Sequence, residues 1–130
     1  GEFARICGLS TGDVQKDRCR KALELSRQTD TIVVLKGAGT VIACPDGRYF
    51  VNPAGHNCLA VAGSGDVLAG IISSLLGQRV PPEMAACLGV FIHGRCGEYL
   101  AEKSKGQAGY RASEIASVIP YVTGSLFGKC

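Results

Sequence analysis

Residues 63–70 have the sequence Gly63-Ser64-Gly65-Asp66-Val67-Leu68-Ala69-Gly70, in which two glycines bracket a serine and an aspartate follows. The apolar residues that come next recur with the spacing of one helix face. The glycines therefore stand where a helix begins, and the first amide groups of a helix have no partner within it. Those amides and the positive end of the helix dipole favour a bound anion, most often phosphate. The stretch predicts a phosphate-binding turn at the start of a buried helix.

Asp66 is the residue that a phosphate-binding turn does not explain, because a carboxylate there repels phosphate. We interpret it as the group that orients or deprotonates a hydroxyl that attacks the phosphate. The same residues also fit an ordinary helix start, in which Ser64 is the N-cap and Asp66 stabilises the first turn by about 0.3–1 kcal/mol. The local sequence leaves these two interpretations equally open.

The composition is that of a compact globular domain with one core. The chain has 130 residues, of which 46% are hydrophobic and 19% charged, and this balance excludes an intrinsically disordered chain. The net charge of +3 comes from scattered Lys and Arg residues, and four Phe, four Tyr and no Trp offer few rings for base stacking. A small anionic ligand is therefore favoured, and nucleic acid is not predicted as a partner.

Seven cysteines occur without a CxxC pair or any zinc-binding spacing. Most have apolar neighbours, which is typical of reduced thiols in a cytoplasmic protein. No metal site is therefore predicted from these residues. No apolar run approaches the roughly 20 residues that cross a bilayer, so a membrane partner is not predicted either. The chain does not begin with Met, and we expect it to be cut from a longer protein.

The rest of the chain predicts an α/β fold. Residues 31–35 form a continuous β-branched run, typical of a strand buried on both faces as in a parallel sheet. Two further strands, at residues 40–44 and 48–52, pair as a hairpin around a Pro-Asp-Gly turn. Helices are predicted over residues 2–9, 13–28, 63–77, from 81 onward, and from 110 to about 122. Three strands are too few to flank these helices on both faces of a sheet, so the chain is interpreted as part of a larger domain.

Three other features have both structural and functional explanations. Lys36-Gly37-Ala38-Gly39-Thr40 follows the first strand at its carboxyl end, where open α/β sheets bind ligands, but it also fits a simple turn between strands. The basic residues of the second predicted helix, Arg18 among them, are interpreted as a solvated face. His93 lies in an apolar helix, and we interpret it as a packing residue.

Four separated blocks together resemble one family. The blocks are Lys36-Gly37-Ala38-Gly39-Thr40, Asn52-Pro53-Ala54-Gly55, Leu59-Ala60 with the 63–70 stretch, and Gly89-Val90-Phe91-Ile92-His93-Gly94. They resemble the ADP/ATP-dependent NAD(P)H-hydrate dehydratases, which are ribokinase-like proteins often fused to an epimerase. The resemblance covers nearly the whole chain. It implies that residues 1–130 are the C-terminal part of a three-layer α/β/α ribokinase-like domain, without that domain's N-terminal strands.

The resemblance also implies a reaction, the nucleotide-dependent dehydration that repairs hydrated NADH or NADPH. A phosphate of ADP or ATP, with Mg²⁺, activates the ring hydroxyl, which then leaves as phosphate and restores the double bond. Asp66 is the implied catalytic residue, and it also contacts the substrate. The implied nucleotide-binding residues are Lys36, Gly37, Ala38, Gly39, Thr40, Asn57, Gly63, Ser64 and Gly65, and the other implied substrate-binding residues are Glu2, Phe3 and Arg5. The family further implies a homo-oligomer and a fused or separate epimerase, and the cysteine usage predicts a cytoplasmic location.

Two other functions stay open at this point. One is a ribokinase-like kinase of a small molecule such as a vitamin precursor, which shares the Gly-x-Gly-Asp pattern but not the other blocks. The second is an inactive nucleotide-binding fragment, since half of the substrate pocket would lie upstream. The chain also departs from the family pattern in the loop expected to approach the nucleotide. Val61-Ala62 replaces a small hydroxylic residue and glycine, and Gly55-His56-Asn57-Cys58 replaces Gly-Asn-Pro-Gly. We expect both changes to affect the fit of ATP against ADP.

Overall fold

The computed structural model describes residues 2–8, 17–104 and 110–128. The chain forms two compact units, Gly1–Val51 and Asn52–Cys130, each with its own hydrophobic core. The parts of our sequence predictions that fall on residues 9–16 and 105–109 lie outside the described residues.

The first unit contains a small antiparallel sheet and two described helices. Its elements are α1 (Glu2–Ile6), α2 (Arg18–Thr29), β1 (Val33–Leu35), β2 (Val41–Ala43) and β3 (Tyr49–Val51). The strand order is β1-β2-β3, with Ile42 of β2 opposite both Val34 and Phe50. The central strand β2 is buried along its length, and β3 is exposed. The core of this unit consists of Ala4, Ala22, Leu35, Val41 and Ala43.

The predicted hairpin is confirmed, and the predicted parallel arrangement of the first strand is wrong for the described residues. β1 pairs antiparallel with β2, and Val33 and Val34 are half-buried rather than buried on both faces. The β-branched run favours burial but does not determine the partner strand or its direction. Here a short loop joins β1 to β2, and connections of that length join antiparallel neighbours.

Helix α2 has defined ends within the described residues. It begins at Arg18 because Asp17 caps it, accepting a hydrogen bond from the Arg20 amide at 3.3 Å. It ends where Asp30 adopts a left-handed conformation with φ of 51° and donates its amide hydrogen to Ser26 O. The predicted end at residue 28 is therefore within one residue of the observed one.

The second unit is helical and packs around one long helix. Its elements are a 3₁₀ helix (Asn57–Leu59), α3 (Ser64–Gly77), α4 (Pro82–Lys103) and α5 (Ala112–Phe127). Proline stands at the first position of α4, as predicted, because the missing amide hydrogen is not needed there. Buried residues of α3, α4 and α5 form the core: Ile71, Ile92, Cys96, Leu100, Ile115, Val118 and Val122. None of the described helices combines the length and the apolar character that a membrane span requires.

The last helix is longer than the sequence predicted. α5 continues to Phe127 rather than ending near residue 122, although Pro120 lies inside it. A proline within a helix removes one backbone hydrogen bond and favours an end before it. The helix continues because Ile115, Val118 and Val122 on either side of the proline are buried together in the core.

Candidate active site

The turn at residues 63–66 begins helix α3, as the sequence predicted, but with a different capping residue. Gly63 is the N-cap, with φ of 81°, and Ser64 is the first helical residue. The alternative interpretation of Ser64 as the N-cap is therefore wrong. Gly63 lies in the left-handed region, where a side chain is strained. A Cβ atom at this position would also lie 3.0 Å from Ala112 Cβ, so glycine is required here on two grounds.

Some backbone amides of this turn donate hydrogen bonds within the chain, and others are available to a ligand. The Ser64 amide donates to Val61 O at 3.2 Å, and the Asp66 and Val67 amides both donate to Gly63 O, at 3.1 and 3.2 Å. In the part of the chain that the structure describes, no acceptor receives the Gly63 or Gly65 amide. Both glycines are exposed. Two of the three predicted amides are thus available to an anion, and that of Ser64 is used within the turn.

Asp66 is the third residue of α3, and its side chain is exposed. Its Oδ2 atom lies 3.9 Å from the position that a Cβ of Gly63 would occupy, so the carboxylate lies next to the turn. Among the described Lys and Arg residues, none forms an ion pair with it. The carboxylate is neither turned into the core nor neutralised, which is what a group that handles a substrate proton requires.

Ser64 and His93 form a buried pair behind this turn. The Ser64 side chain is fully buried, and 5% of His93 is exposed. His93 Nε2 lies 3.0 Å from Ser64 O and 3.1 Å from Ser64 Oγ. The predicted packing role of His93 is confirmed, and the pair adds polar contacts that the sequence did not indicate.

The first residues of the loop that leads to the turn are held against α4 by hydrogen bonds. Asn52 is buried, and its Nδ2 donates to Ala54 O at 2.7 Å and to Val90 O at 3.4 Å. The Gly55 amide donates to Glu98 Oε1 at 2.9 Å. These contacts place the loop along the helix rather than away from it.

The next residues of the loop form the 3₁₀ helix. His56 caps it, because its Nδ1 accepts from the Cys58 amide at 3.2 Å. The Cys58 thiol lies 3.2 Å from Gly97 O, and burial raises the pKa of this thiol. Asn57, the predicted nucleotide-binding residue of this loop, is exposed at the start of the 3₁₀ helix.

Glycines on α4 allow the loop to approach its backbone. A Cβ at Gly94 would lie 2.7 Å from Ala54 O, and one at Gly97 would lie 2.6 Å from Leu59 Cγ. Such distances are below van der Waals contact, so a larger residue at either position displaces the loop. The residues at 90, 94 and 98, and those at 93 and 97, are four apart and share one side of α4. We call the residues 90, 93, 94, 97 and 98 the α4 contact face.

The predicted nucleotide-contacting loop, residues 36–40, belongs to the first unit. Lys36, Gly37, Ala38 and Gly39 are exposed and Thr40 is half-buried. Arg18 holds this loop: its guanidinium donates to Ala38 O at 2.6 Å and to Leu35 O at 2.9 Å. Thr40 Oγ1 donates to Gly37 O at 3.2 Å. The interpretation of Arg18 as part of a solvated face is therefore wrong, because its charge satisfies loop carbonyls instead.

The three predicted substrate-contacting residues near the start of the chain lie on α1. Arg5 is exposed in the last turn of this helix. The side chains of Glu2 and Phe3 lie outside the described part of the structure.

A family model described as NAD(P)H-hydrate dehydratase matches residues 1–121. The chain belongs to the NAD(P)H-hydrate dehydratase family. It is 43% identical over 126 residues to the bifunctional NAD(P)H-hydrate repair enzyme Nnr of Moorella thermoacetica, covering 97% of this chain and 24% of that enzyme. It is 44% identical to the ADP-dependent (S)-NAD(P)H-hydrate dehydratase of Neisseria meningitidis, covering 88% of this chain and 39% of that enzyme.

Solved structures show the same fold. The chain matches the Bacillus subtilis ADP/ATP-dependent NAD(P)H-hydrate dehydratase, co-crystallised with ATP/Mg²⁺, with a TM-score of 0.85 and 37% identity. That match covers 96% of this chain and 45% of the other. YxkO from Bacillus subtilis matches with a TM-score of 0.90. The partial α/β fold of a kinase-like dehydratase is therefore confirmed, and the chain spans less than half the length of these relatives.

One departure from the dehydratase pattern has a structural explanation. Val61, which stands where a small hydroxylic residue is usual, is half-buried and packs against the core of the second unit. Its carbonyl still accepts the Ser64 amide. The side chain of Val61 thus contributes to core packing, and its backbone carbonyl contributes a hydrogen bond to the turn.

Sequence reasoning missed three residues that hold backbone segments in place, Arg18 in the first unit and Asn52 and Glu98 in the second. Asn52 lies in a block that carried the resemblance but was not assigned a role, and Glu98 and Arg18 were not assigned to the site at all. All three act on backbone groups that lie two to 43 positions away in the chain. A buried asparagine at a strand end is the one signal among them that the sequence offers, since buried polar side chains need partners.

Proposed function

We propose that this chain carries the phosphate-binding turn and the catalytic carboxylate of an enzyme that dehydrates hydrated NADH or NADPH at the expense of ADP or ATP. The observation that carries the proposal is the exposed, unpaired Asp66 carboxylate next to two exposed glycine amides without a partner among the described residues. The names and substrates of the relatives support the same reaction.

The donor set fits a nucleotide phosphate. The Gly63 and Gly65 amides are exposed at the positive end of α3, and both charge and hydrogen bonding favour a phosphoryl group there. The described residues contain no cluster of three or more His, Cys, Asp and Glu side chains that could hold a metal ion alone. A single carboxylate beside a phosphate site instead fits Mg²⁺ that is bound mainly through phosphate oxygens and water.

Each residue of the turn has its own role in the proposed reaction. Bound ADP or ATP with Mg²⁺ supplies the phosphoryl group, which converts a poor leaving group, hydroxide, into a good one, phosphate. The Asp66 carboxylate would orient the ring hydroxyl and accept its proton as the oxygen attacks phosphorus, with the bond from phosphorus to the nucleotide breaking and AMP or ADP leaving. Loss of the phosphate together with a proton from the neighbouring ring carbon then restores the double bond. The Gly63 and Gly65 amides stabilise the charge that develops on the phosphoryl oxygens. We assign the buried Ser64 to the support of this turn rather than to direct contact through its side chain.

The remaining predicted contacts extend this proposal. The loop of Lys36, Gly37, Ala38, Gly39 and Thr40 and the exposed Asn57 are proposed to contact the nucleotide. Lysine at a strand end with small neighbours suits a phosphate. Glu2, Phe3 and Arg5 are proposed to contact the hydrated dinucleotide.

Assembly and location are also proposals. We infer that residues 1–130 are the C-terminal part of the catalytic domain. The coverage of less than half of the single-function relatives supports a partial domain, and the resemblance of the four sequence blocks supports its C-terminal part. We further propose a homo-oligomer, a cytoplasmic location and cooperation with an epimerase; the bifunctional name of the Moorella thermoacetica relative supports the last of these. Light scattering of the purified protein measures the oligomeric state.

A chimaera tests the reaction. The part of the Bacillus subtilis dehydratase that this chain does not match is fused ahead of residue 1, and the product is incubated with hydrated NADH and either ADP or ATP. We expect the near-ultraviolet absorbance of NADH to return. A stable phosphorylated product without NADH indicates a kinase instead. A folded chimaera, shown by circular dichroism, that forms neither product contradicts the proposal.

A further inference from the structure

His93 connects the middle of α4 to the first residue of α3. Its Nε2 atom lies 3.0 Å from Ser64 O and 3.1 Å from Ser64 Oγ. Both residues are buried, so these contacts are shielded from water and are stronger electrostatically than the same contacts at the surface. The exposed residues Gly65 and Asp66 follow Ser64 directly in the chain. The position of Ser64 therefore influences where the Asp66 carboxylate lies.

The carbonyl contact determines which ring nitrogen of His93 carries a proton. A carbonyl oxygen accepts hydrogen bonds and has no hydrogen to donate, so the contact with Ser64 O requires a proton on Nε2. The Ser64 hydroxyl oxygen can accept from the same N–H group. The Nε2–H group of His93 is thus a hydrogen-bond donor on α4 that faces the backbone of the 63–66 turn.

A contact from outside the helix can hold its first turn in place. Its backbone has fewer internal hydrogen bonds than the helix interior, so it is the part that frays first. In this turn the Asp66 and Val67 amides both depend on one acceptor, Gly63 O. Gly63 itself has a φ of 81°. A glycine without support readily changes to other φ values, because it has no side chain that restricts its backbone. A hydrogen bond that holds Ser64 in place limits both the fraying of the first turn and the change of φ at Gly63.

The rest of the α4 contact face fixes the preceding loop. Val90 O accepts a hydrogen bond from the Asn52 side chain, and Glu98 accepts one from the Gly55 amide. The absence of a side chain at Gly94 leaves room for Ala54. His93 lies among these contacts and also reaches Ser64 at the start of α3. One side of one helix thus holds both the loop and the turn that it leads into.

We propose that His93 is a positioning residue, which holds the 63–66 turn and its Asp66 carboxylate in place through the Nε2–H group and Ser64. Its effect on catalysis rests on the proposed function, whereas its effect on the turn does not. The competing explanation is that the ring only fills space in the core.

Amide hydrogen exchange on the 130-residue chain separates these two explanations. His93→Leu keeps an apolar side chain but removes the donor, and we expect exchange of the Asp66 and Val67 amides to become about tenfold faster. His93→Gln retains an N–H donor at a similar reach and is expected to stay within about twofold of the wild type. Exchange at Val118 and Val122 in α5 reports any global loss of stability.

A matched control removes packing without removing the donor. Cys96 is fully buried on the same helix, and Cys96→Ala is expected to leave the ratio of exchange in the turn to exchange in α5 unchanged. If Cys96→Ala accelerates amide exchange in the turn as His93→Leu does, the proposal is wrong. It is also wrong if exchange in the turn is as fast in His93→Gln as in His93→Leu. The wild-type chain provides a test that needs no variant: a ¹⁵N spectrum of the His93 ring must show the proton on Nε2, and its absence overturns the proposal.

The catalytic consequence is measured in the chimaera. We expect His93→Leu to lower kcat about tenfold with less than about a threefold change in the KM for ADP, and His93→Gln to restore most of the rate. Full kcat in His93→Leu overturns the catalytic part while the proposed function stands. An inactive wild-type chimaera with the expected exchange pattern contradicts the proposed function and leaves the positioning of the turn supported.

Discussion

Glu98 Oε1 lies 2.9 Å from the amide nitrogen of Gly55, a contact between residues 43 positions apart that joins the loop before the 63–66 turn to the long helix α4. The other carboxylate oxygen of Glu98 pairs with Arg95 on the same helix. The carboxylate therefore makes both a hydrogen bond to the loop backbone and a surface ion pair, and substitutions can separate the two.

Replacing Glu98 tests the loop contact. We expect Glu98→Ala to lower the free energy of unfolding by about 1 kcal/mol, because the Gly55 amide loses its acceptor. Glu98→Gln keeps an oxygen acceptor and is expected to cost less. Arg95→Ala removes the exposed ion pair alone and is expected to cost at most about 0.5 kcal/mol. Urea unfolding measures all three, and a larger loss in Arg95→Ala than in Glu98→Ala contradicts this interpretation.

Two glycines of the 63–70 stretch are expected to respond to alanine in opposite directions. Gly63→Ala introduces a Cβ at positive φ, 3.0 Å from Ala112 Cβ, and is expected to destabilise the chain by about 1–2 kcal/mol. Gly70 lies in the exposed interior of α3, where a Cβ would meet nothing within 4 Å. Gly70→Ala is expected to stabilise by about 0.5–1 kcal/mol, because alanine favours the helix. Thermal unfolding of the two variants checks the sign of each effect.

Asp66→Asn is expected to lower kcat of the chimaera by about a hundredfold or more, because the amide cannot accept the proton of the ring hydroxyl. The affinity for the nucleotide should be kept or improved, since a charge that repels phosphate is removed. Steady-state kinetics with ADP and with hydrated NADH measure both quantities. Glu102→Gln, which removes an exposed carboxylate of α4, serves as the control for loss of charge. Unchanged turnover in Asp66→Asn removes this residue from the mechanism.

The Cys96 thiol gives a prediction about pH. Burial raises its pKa from 9.0 to about 11, so its thiolate fraction at neutral pH is about 100-fold lower than that of an ordinary cysteine. Alkylation by iodoacetamide should be slower by at least that factor in the folded chain. Above pH 9.0 the thiol ionises in the unfolded chain while it stays protonated in the folded chain. The contribution of this thiol to the free energy of unfolding is therefore fully present below pH 9.0 and is lost between pH 9.0 and about 11.

The slope of that loss is about 1.4 kcal/mol per pH unit within the window, for one thiol. Burial also raises the pKa of Cys58, which adds to the loss in the same direction. Cys96→Ala is expected to flatten the decline of unfolding free energy above pH 9.0. An identical decline in wild type and variant contradicts the assignment to Cys96.

Local sequence patterns predicted the elements that carry the site. The glycine-rich start of α3, the hairpin around the Pro-Asp-Gly turn and the start of α4 at Pro82 all follow from backbone preferences within a few residues. The predicted end of α5 was wrong because the local apolar pattern does not show how far a helix continues, whereas core packing of Val122 and Leu126 continues it to Phe127. The direction of β1 was wrong because a β-branched run indicates burial but not a partner.

The supports of the site depend on pairs that are distant in the chain. His93 meets Ser64 across 29 positions, and Arg18 meets Ala38 across 20. Nothing in the neighbourhood of either residue distinguishes a side chain that hydrogen-bonds a distant carbonyl from one that fills the core or faces water.

The sequence by itself determined where a helix would begin on small residues, which carboxylate would stand in its first turn and to which family the pattern belongs, because these depend on residue types at short, regular spacing. The tertiary structure alone decided that Gly63 rather than Ser64 caps that helix, that the Ser64 amide is used within the turn, and that one side of α4 holds both turn and loop. Those outcomes depend on which atoms come within hydrogen-bonding distance when the helices pack, and periodicity along the chain does not record that distance.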